Sequence, residues 1–392
     1  MKKTTATIIT LSVLLFFFSC TGEKEKPITK YPESNLDAPS LMLHVDGNKI
    51  YNERGDEVRL VGVNIPSLEW NSRGDNVQSS VYEVFANWNC NLARIPLSQD
   101  YWFGTVSNWS TPYPPDGGEA YRKTVDEVVE IALSFGKYVS LNLQWSNADE
   151  LGENIGQHFM PDENTLEFWL DAAERYKNNP AVLFNLYSEP RSVSWEVWKY
   201  GGPIEEVVGD YSVSTKTLKY TTPGHQKMVD EIRALGANNI IIAGGLGWAY
   251  DLKGIAVGVI TGITFALEDT PEGNGIVYDS HIYPQRGDSY DFDVLCIKDD
   301  HPILIGEIGI EPDGRWGAAE RPDWLTNMLD WIDENELHWA GWCFHTAARP
   351  FMISDWQYTP TAHHGAIMKE RFLSYANTNA HLSTLPAIGG QK

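Results

Sequence analysis

Eight short apolar segments alternate with amphipathic patterns along the chain, and this alternation constrains the fold more than any other feature. The segments cover residues 58–64, 90–98, 137–145, 181–189, 239–245, 275–283, 302–309 and 338–345. Between the second and third segments a helical pattern ends at Gly136, and one face of that helix carries Tyr121, Val125, Val128, Val129 and Ala132. Similar helical patterns occupy residues 163–177, 223–235 and 322–335. Strands that alternate with helices predict a parallel sheet with crossover helices.

The number of strand–helix units selects one architecture within the α/β class. Eight units in about 330 residues predict a (β/α)8 TIM barrel with enlarged active-site loops. A β-hairpin is expected before the barrel, because Asp46-Gly47 and Gly55-Asp56 are turn signals. A doubly wound open sheet is the alternative. It is disfavoured because "GVNIPSLEWNSRGD", after the first strand, contains no glycine-rich phosphate-binding motif.

The start of the chain predicts export. Lys2 and Lys3 precede an apolar run that extends from Ile8 to Phe18. This run is too short to span a membrane, so residues 1–19 are predicted to be a signal peptide. A buried N-terminal helix is the alternative interpretation.

Cys20 directly follows a small residue at the end of the apolar run, which resembles the lipobox of bacterial lipoproteins. The resemblance implies that Cys20 is lipidated and anchors the protein to the outer membrane, at the cell surface or on the periplasmic face. Residues 20–40 are polar and predict a flexible tether. Residues 41–392 are then expected to form a single barrel domain, attached to the membrane only through the lipid.

The charge of the chain narrows the class of partner. The sequence has 30 basic and 53 acidic residues, a formal net charge of −23. Such a surplus repels nucleic acid and anionic membrane surfaces, so we expect no nucleic-acid partner. A neutral glycan fits this charge better.

The cysteines and histidines do not predict a metal site. Cys90, Cys296 and Cys343 lack the paired spacing of zinc ligands or of a disulfide framework, and we expect buried free thiols. The pair His363-His364 has no carboxylate constellation near it and is interpreted as a solvated helix start. We therefore expect neither a metal nor another cofactor.

Two glutamates end apolar strands, Glu189 in "AVLFNLYSEP" and Glu307 in "PILIGEIGI". In a barrel the carboxyl ends of the strands face the active site, and the fourth and seventh strands lie on opposite sides. Two facing carboxyl groups suit glycosidic cleavage, because one protonates the leaving oxygen while the other attacks or activates water. If Glu307 is the nucleophile, Arg94 and Tyr283 are expected to hold it ionised. Glu189 then needs a less polar surrounding to keep its proton.

Other strand ends contribute polar or aromatic side chains that are expected to converge on the same cleft: Asn64, Arg94, Gln144, Ser188, His281, Tyr283 and Trp342. The loops beyond them are rich in aromatic residues, whose flat rings suit the apolar faces of sugars. The candidates for the rim of the cleft are Trp70, Tyr101, Trp102, Trp145, Trp195, Trp198, Trp248 and Trp356.

The motifs, taken in order, resemble glycoside hydrolase family 5, the cellulase-like members of clan A, over roughly residues 41–376. The fragments are "LVGVN", "LARIPLS", a Glu-Pro after strand four, "SHIYP", "IGEIG" and a tryptophan on strand eight. The resemblance implies that Glu189 is the acid/base and Glu307 the nucleophile. It also implies a shell of Arg94, His281 and Tyr283, with Trp342 as the platform under the cleaved sugar.

Two positions depart from the family pattern and bear on the substrate. Ser188 stands where the family usually has asparagine, and Gln144 where it usually has histidine. Both can still form hydrogen bonds, so altered substrate recognition is expected rather than lost chemistry. The resemblance implies a retaining hydrolase of β-linked polysaccharide, either β-glucan, mannan or a related hemicellulose, and we expect it to cleave internally and to act as a monomer. A glycan-binding barrel with little or no activity is the alternative.

Overall fold

A closed barrel of parallel β-strands, surrounded by helices, forms the centre of the molecule in the computed structural model. The structure describes residues 41–106, 116–210, 214–256, 262–311, 321 and 323–375. The signal peptide, Cys20 and the tether predicted for residues 1–40 lie outside the described residues.

The barrel strands follow one another around the barrel in chain order, and each pairs in parallel with its neighbours. An antiparallel hairpin of β1 (Leu43–Asp46) and β2 (Lys49–Asn52) precedes them. The barrel strands are β3 (Val61–Asn64), β4 (Leu92–Ser98), β5 (Tyr138–Trp145), β6 (Val182–Asn185), β9 (Ile241–Gly244), β10 (Ile276–Ile282), β11 (Ile303–Ile308) and β12 (His338–Gly341). The predicted (β/α)8 barrel is confirmed, and each strand lies within its predicted apolar segment.

The helices cover the outside of the barrel. They are α1 (Val77–Asn87), α2 (Gln99–Phe103), α3 (Glu119–Phe135), α4 (Asn164–Tyr176), α5 (Trp195–Tyr200), α6 (Gly224–Ala234), α7 (Tyr290–Asp293), α8 (Trp324–Glu334) and α9 (Gly365–Ser374). The predicted inward face of α3 is buried, and the helix ends where Gly136 adopts a left-handed φ of 64°. Glycine takes this conformation at little steric cost, which explains why the helix stops there.

The N-terminal hairpin closes the end of the barrel at which the strands begin. Leu43 and Ile50 of the hairpin are buried in one apolar cluster with Leu92, Val277 and Leu304, which lie near the starts of their strands. Apolar side chains therefore fill this end of the barrel. Polar groups that serve a ligand are left to the opposite end, where the strands finish.

A second hairpin, which the sequence analysis did not predict, is inserted between β6 and α6. Its strands β7 (Gly202–Asp210) and β8 (Ser214–Thr222) pair antiparallel. We call it the inserted hairpin. Leu218, Tyr220 and Thr222 of β8 are buried, while the residues between them are exposed. This two-residue period is the sequence signal that was available for a strand here.

Three aromatic residues expected at the rim of the cleft are instead buried in the core: Tyr101, Trp102 and Trp198. The Trp102 indole packs edge-on against Phe168, with a centroid distance of 5.2 Å. The Trp198 indole stacks on His225 at 4.4 Å and donates a hydrogen bond to Gly244 O at 2.8 Å. The prediction of a cleft position is wrong for these residues because their short helices, α2 and α5, turn them inward.

The remaining cysteines and the histidine pair differ in how deeply they are buried. Cys90 and Cys343 are buried, Cys296 is partly buried, and all three are free. His364 is buried rather than solvated, so that expectation is wrong. In the part of the chain that the structure describes, no helix is both long and apolar enough to span a membrane.

Candidate active site

Arg94 lies at the centre of a polar cluster at the carboxyl ends of the barrel strands. Its fully buried guanidinium donates through Nη1 to Glu307 Oε1 at 3.1 Å and to Asn64 Oδ1 at 2.7 Å. Through Nη2 it donates to Asn142 Oδ1 and to Ser188 Oγ, both at 3.0 Å. One planar cation thus fixes side chains that come from, or directly follow, β3, β5, β6 and β11.

Glu307 is held by the two partners that the sequence suggested. Arg94 donates to one carboxylate oxygen, and the Tyr283 hydroxyl donates to the other, Oε2, at 2.8 Å. Burial raises the pKa of Glu307, and the negative charge of Glu189 acts in the same direction. The charges of His281 and Arg94 and the Tyr283 hydrogen bond oppose this rise in pKa. The contacts orient the carboxylate for attack on an electrophile, but its burial does not favour ionisation.

Glu189 lies in a more polar surrounding than expected. The Gln157 amide donates to its Oε2 at 2.7 Å, and His281 Nδ1 lies 3.0 Å from its Oε1. Burial acts to raise the pKa of Glu189, but the hydrogen bond and charge of His281, together with Gln157, hold it below its ordinary value. The expectation of an apolar pocket is therefore wrong, because a distant loop supplies an amide that the strand motif does not contain.

His281 connects the two carboxyl groups. Its Nδ1 lies 3.0 Å from Glu189 Oε1 and 3.6 Å from Glu307 Oε2, while its Nε2 lies 3.4 Å from Asp279 Oδ2. Burial acts to lower the pKa of His281, but the charges of Glu307 and Asp279 raise it to about 9. The imidazole is therefore protonated at neutral pH and carries a proton next to both glutamates.

Asp279 is a buried member of the site that the sequence analysis missed. It accepts hydrogen bonds from Gly306 N at 2.8 Å and from Asn185 Nδ2 at 3.1 Å. Burial acts to raise its pKa, but the charges of His281 and Arg94 hold it below the ordinary value. A Cβ on Gly306 would lie 2.2 Å from Asp279 Oδ1, so the glycine of "IGEIG" is required for this approach.

The remaining predicted binding residues border this cluster. Gln144 Oε1 accepts from Asn142 Nδ2 at 3.0 Å, which connects Gln144 to Arg94 through one amide. Trp145, at the end of β5, and Trp342, directly after β12, are both partly buried. The Trp342 indole donates to Arg349 O at 3.0 Å.

Aromatic side chains occupy two loop regions beyond the strand ends. Trp70 and Trp356 both meet the His345 ring edge-on, at centroid distances of 5.6 and 5.1 Å. Trp248 is 41% exposed, and the Arg191 guanidinium lies 3.9 Å from its ring centroid. Trp248 is exposed and Trp70 and Trp356 are partly exposed, and aromatic rings at a cleft suit sugar stacking.

Several further groups were missed, and some had a signal in the sequence. Asp279 precedes His281 and Tyr283 by steps of two, and Asn142 precedes Gln144 by two, as expected for residues on one face of a strand. Another missed residue, Glu69, is buried after β3 and accepts from Ser67 N at 2.8 Å. Burial raises the pKa of Glu69 to about 8, so a third carboxyl, which interacts electrostatically with Glu307 and Arg94, is largely protonated at neutral pH.

Glu189, His281 and Glu307 each bring a potential metal-ligand atom to within 4.8 Å of the others. A metal would have to displace the proton from His281, whose pKa is about 9. It would also face the Arg94 guanidinium, whose Nη2 lies 3.3 Å from His281 Nε2. The charge arrangement suits proton transfer better than cation binding.

The site joins two glutamates at the ends of the fourth and seventh strands of a (β/α)8 barrel. Their nearest oxygen atoms lie within 4.8 Å, and a protonated histidine contacts both residues. Two carboxyl groups so arranged can protonate a glycosidic oxygen and attack the sugar from the other side. Fold and site together define a glycosyl hydrolase.

Comparison with known proteins gives the family. A family model described as Cellulase (glycosyl hydrolase family 5) matches residues 51–348, which is well over half of the chain. The chain therefore belongs to glycosyl hydrolase family 5.

Individual relatives are distant in sequence. The chain is 24% identical to Endoglucanase G of Acetivibrio thermocellus, with 88% of this chain and 73% of that protein aligned. It is 21% identical to Endoglucanase MaCel5A of Microbulbifer sp., with 76% of this chain aligned, and it spans half the length of that protein. A crystal structure of the β-glucanase SdGluc5_26A from Saccharophagus degradans in complex with cellotetraose has the same fold. The two structures superpose with a TM-score of 0.64 and a sequence identity of 22%. The superposition covers 90% of this chain and 99% of that chain.

Proposed function

We propose that this chain is an endo-acting β-glucanase that cleaves its substrate by double displacement with retention of configuration. The observation that best supports this mechanism is the short distance between the carboxyl groups of Glu189 and Glu307, whose nearest oxygens lie within 4.8 Å. Inverting glycosidases need about 6.5 to 9.5 Å between their carboxyl groups to admit a water, whereas retaining enzymes have about 5 to 5.5 Å. The β-glucan specificity is supported by relatives named endoglucanases and by a β-glucanase of the same fold.

In the first step Glu307 attacks the anomeric carbon and the glycosidic C–O bond breaks. The attacking oxygen becomes an ester oxygen, and the leaving oxygen takes a proton from Glu189. Arg94 and Tyr283 direct the Glu307 carboxylate, so little freedom is lost when it reacts. In the second step Glu189 takes a proton from water, the water attacks the same carbon, and Glu307 is released.

The proton that Glu189 requires is already present in the site. At neutral pH His281 is protonated, and its Nδ1 lies 3.0 Å from Glu189 Oε1. Transfer of this proton to Glu189 gives a neutral acid beside a neutral imidazole. Ionised Glu307 disfavours a second negative charge nearby, so it helps Glu189 to remain protonated until the leaving oxygen accepts the proton.

The proposed substrate is a neutral β-linked glucan, bound by one copy of the chain. Ser188 and Gln144 replace the family's usual residues while keeping hydrogen bonds to Arg94 and Asn142, which supports changed recognition rather than lost chemistry. The binding-only alternative is not favoured, because both glutamates are present and each is held by hydrogen bonds at the carboxyl ends of the strands.

A panel of polysaccharides tests this function. We expect the purified domain to hydrolyse mixed-linkage β-glucan or cellulose derivatives faster than mannan and xyloglucan, with a rapid fall in viscosity that marks internal cleavage. Proton NMR of the first products should show the β-anomer, which mutarotates later. Release of the α-anomer first would contradict retention, preference for mannan would contradict the glucan specificity, and binding without any product would support the alternative.

We further propose that the protein is exported and anchored to the outer membrane through Cys20. The support is the signal-like start, the cysteine after Ser19 and the polar segment that follows. The variant Cys20→Ser should move the protein from the membrane fraction to the soluble fraction, and Cys296→Ser is the matched control that should not. Unchanged fractionation of Cys20→Ser would contradict lipidation.

A further inference from the structure

The amide of Gln157 contacts the carboxyl group of Glu189 from a loop that follows β5. Its Nε2 donates to Glu189 Oε2 at 2.7 Å, while His281 occupies the other oxygen. Gln157 comes 32 residues before Glu189, and its position depends on how its own loop is held. The contacts of that loop show whether the loop is fixed firmly enough to keep the Gln157 amide in contact with Glu189.

The loop is held on both sides by charged groups. Arg191, two residues after Glu189, donates through Nη2 to Gln157 O and through Nη1 to His158 O, both at 2.5 Å. The Arg191 amide also donates to Phe159 O at 2.9 Å. Three successive carbonyl groups of residues 157–159 therefore accept hydrogen bonds from one residue that lies close to the proposed acid/base.

The inserted hairpin supplies the opposing anchor. Glu206 on β7 is buried, and its Oε2 accepts from Phe159 N at 3.0 Å and from the Tyr220 hydroxyl at 3.1 Å. The same oxygen lies 3.1 Å from His158 Nδ1, and its partner Oε1 lies 3.8 Å from Arg191 Nη2. A buried carboxylate with this many donors is fixed in place, because moving it would leave a buried charge unpaired.

A primary amide suits both protonation states of a retaining acid/base. When Glu189 is ionised, the Gln157 NH₂ group donates to it, as observed. When Glu189 is protonated, rotation of the same amide presents an oxygen that accepts the carboxyl proton. A hydrocarbon side chain offers neither interaction, and a carboxylate at this position adds a repelling charge.

We propose that Gln157 is a positioning residue for the carboxyl group of Glu189, and that Glu206 on the inserted hairpin acts through it by fixing residues 157–159. The proposal deepens the proposed function, because it rests on Glu189 as the acid/base. It also assigns a role to the inserted hairpin, which is to fix the loop that carries Gln157.

The first test compares Gln157→Leu with the wild type on two kinds of substrate. On cello-oligosaccharides, whose leaving group needs a proton, kcat/KM should fall by about 10- to 100-fold. On a 2,4-dinitrophenyl cellobioside, whose leaving group needs none, kcat/KM should change by less than about twofold. Equal losses on both substrates would contradict a role through Glu189. Gln226→Leu on α6 is the matched control, and both of its rates should be unchanged.

The pH profile of activity distinguishes a role through Glu189 from a purely structural role, because a structural role would leave the profile unchanged. Gln157 donates to the anion of Glu189, so its removal should raise the pKa of Glu189. The alkaline limb of kcat/KM, which requires protonated Glu189, should then move upward by about one pH unit in Gln157→Leu. A limb that stays in place or moves downward would overturn the proposal.

The hairpin is tested by a pair of neighbouring substitutions with the same charge change. Glu206→Gln should reproduce the leaving-group dependence of Gln157→Leu, with a loss of about 3- to 10-fold. Glu205→Gln is the control, because Glu205 is exposed and pairs with Lys219 at 3.1 Å. If Glu206→Gln fails to fold, Gln157→Leu still decides the proposal, because it tests the contact with Glu189 directly.

A direct titration separates this proposal from the proposed function. Carbon-13 NMR of labelled glutamate, assigned with Glu189→Gln, should show a higher pKa for Glu189 in Gln157→Leu than in the wild type. If no tested glycan is hydrolysed but the pKa rises, the proposed function fails and the contact stands. If glucan is hydrolysed and the pKa is unchanged, the function stands and this proposal fails.

Discussion

Replacing Glu307 with alanine is expected to abolish turnover on every substrate, whatever its leaving group. Glu307 is the carboxylate that Arg94 and Tyr283 orient, and the methyl side chain of alanine could not form the covalent bond to the sugar. We expect kcat to fall by at least about 10⁴-fold, on the scale seen when a catalytic nucleophile is removed. Steady-state kinetics on β-glucan and on an activated aryl cellobioside measure this loss.

The control for Glu307→Ala is the thermal midpoint of unfolding, measured for the wild type, for Glu307→Ala and for Glu307→Gln. Burial raises the pKa of Glu307, so the ionised group costs stability above its ordinary pKa. Neutral glutamine should therefore keep the thermal midpoint unchanged or raise it, while activity is lost. Full activity in Glu307→Ala would show that another group is the nucleophile and would overturn the assignment.

Most of the barrel could be predicted because its strands are buried on both faces and read as continuous apolar runs. The inserted hairpin was missed because its exposed side is polar, with Lys219 and Thr221 between its few buried positions. Trp102 and Trp198 were misplaced for a related reason. An aromatic residue in a short loop helix has the same sequence context whether the helix turns it inward or toward a cleft.

The site could be predicted only as far as the strand ends reach. Arg94, Glu307 and Tyr283 follow from strand position alone, and Arg94 and Tyr283 both contact Glu307 as expected. Gln157 comes from a different loop, and no local pattern connects it with Glu189. The polarity around Glu189 was therefore predicted incorrectly, because an amide supplied by tertiary structure outweighs the apolar character of the strand.

The polarity of the cleft bears on how the two glutamates exchange roles. In the absence of substrate the proton is held by His281, whose pKa is about 9, rather than by Glu189, whose pKa is lowered by the His281 and Gln157 contacts. A lowered pKa suits the second step, in which Glu189 must accept a proton from water. The first step requires the reverse, so a bound sugar that displaces the Gln157 or His281 contact from Glu189 would favour the acid form.

Glu189→Ala should behave differently from Glu307→Ala, and the difference identifies the two roles. On glucan, removal of the acid should lower kcat by about 10²- to 10⁴-fold. On a 2,4-dinitrophenyl cellobioside the first step should survive, because this leaving group departs without a proton. The second step lacks its base, so a burst of dinitrophenol should be followed by slow turnover. Mass spectrometry should detect the protein with a covalently bound cellobiosyl group.

Azide provides the decisive measurement on Glu189→Ala. As an anion it attacks the glycosyl-enzyme without a general base, so it should restore turnover of the activated substrate. Two displacements at one carbon predict a β-glycosyl azide, whereas single displacement by azide predicts the α-product. The wild type should show no acceleration by azide, because the Glu189 carboxylate already activates water and repels the anion. Formation of the α-azide, or absence of any rescue, would contradict Glu189 as the acid/base of a retaining enzyme.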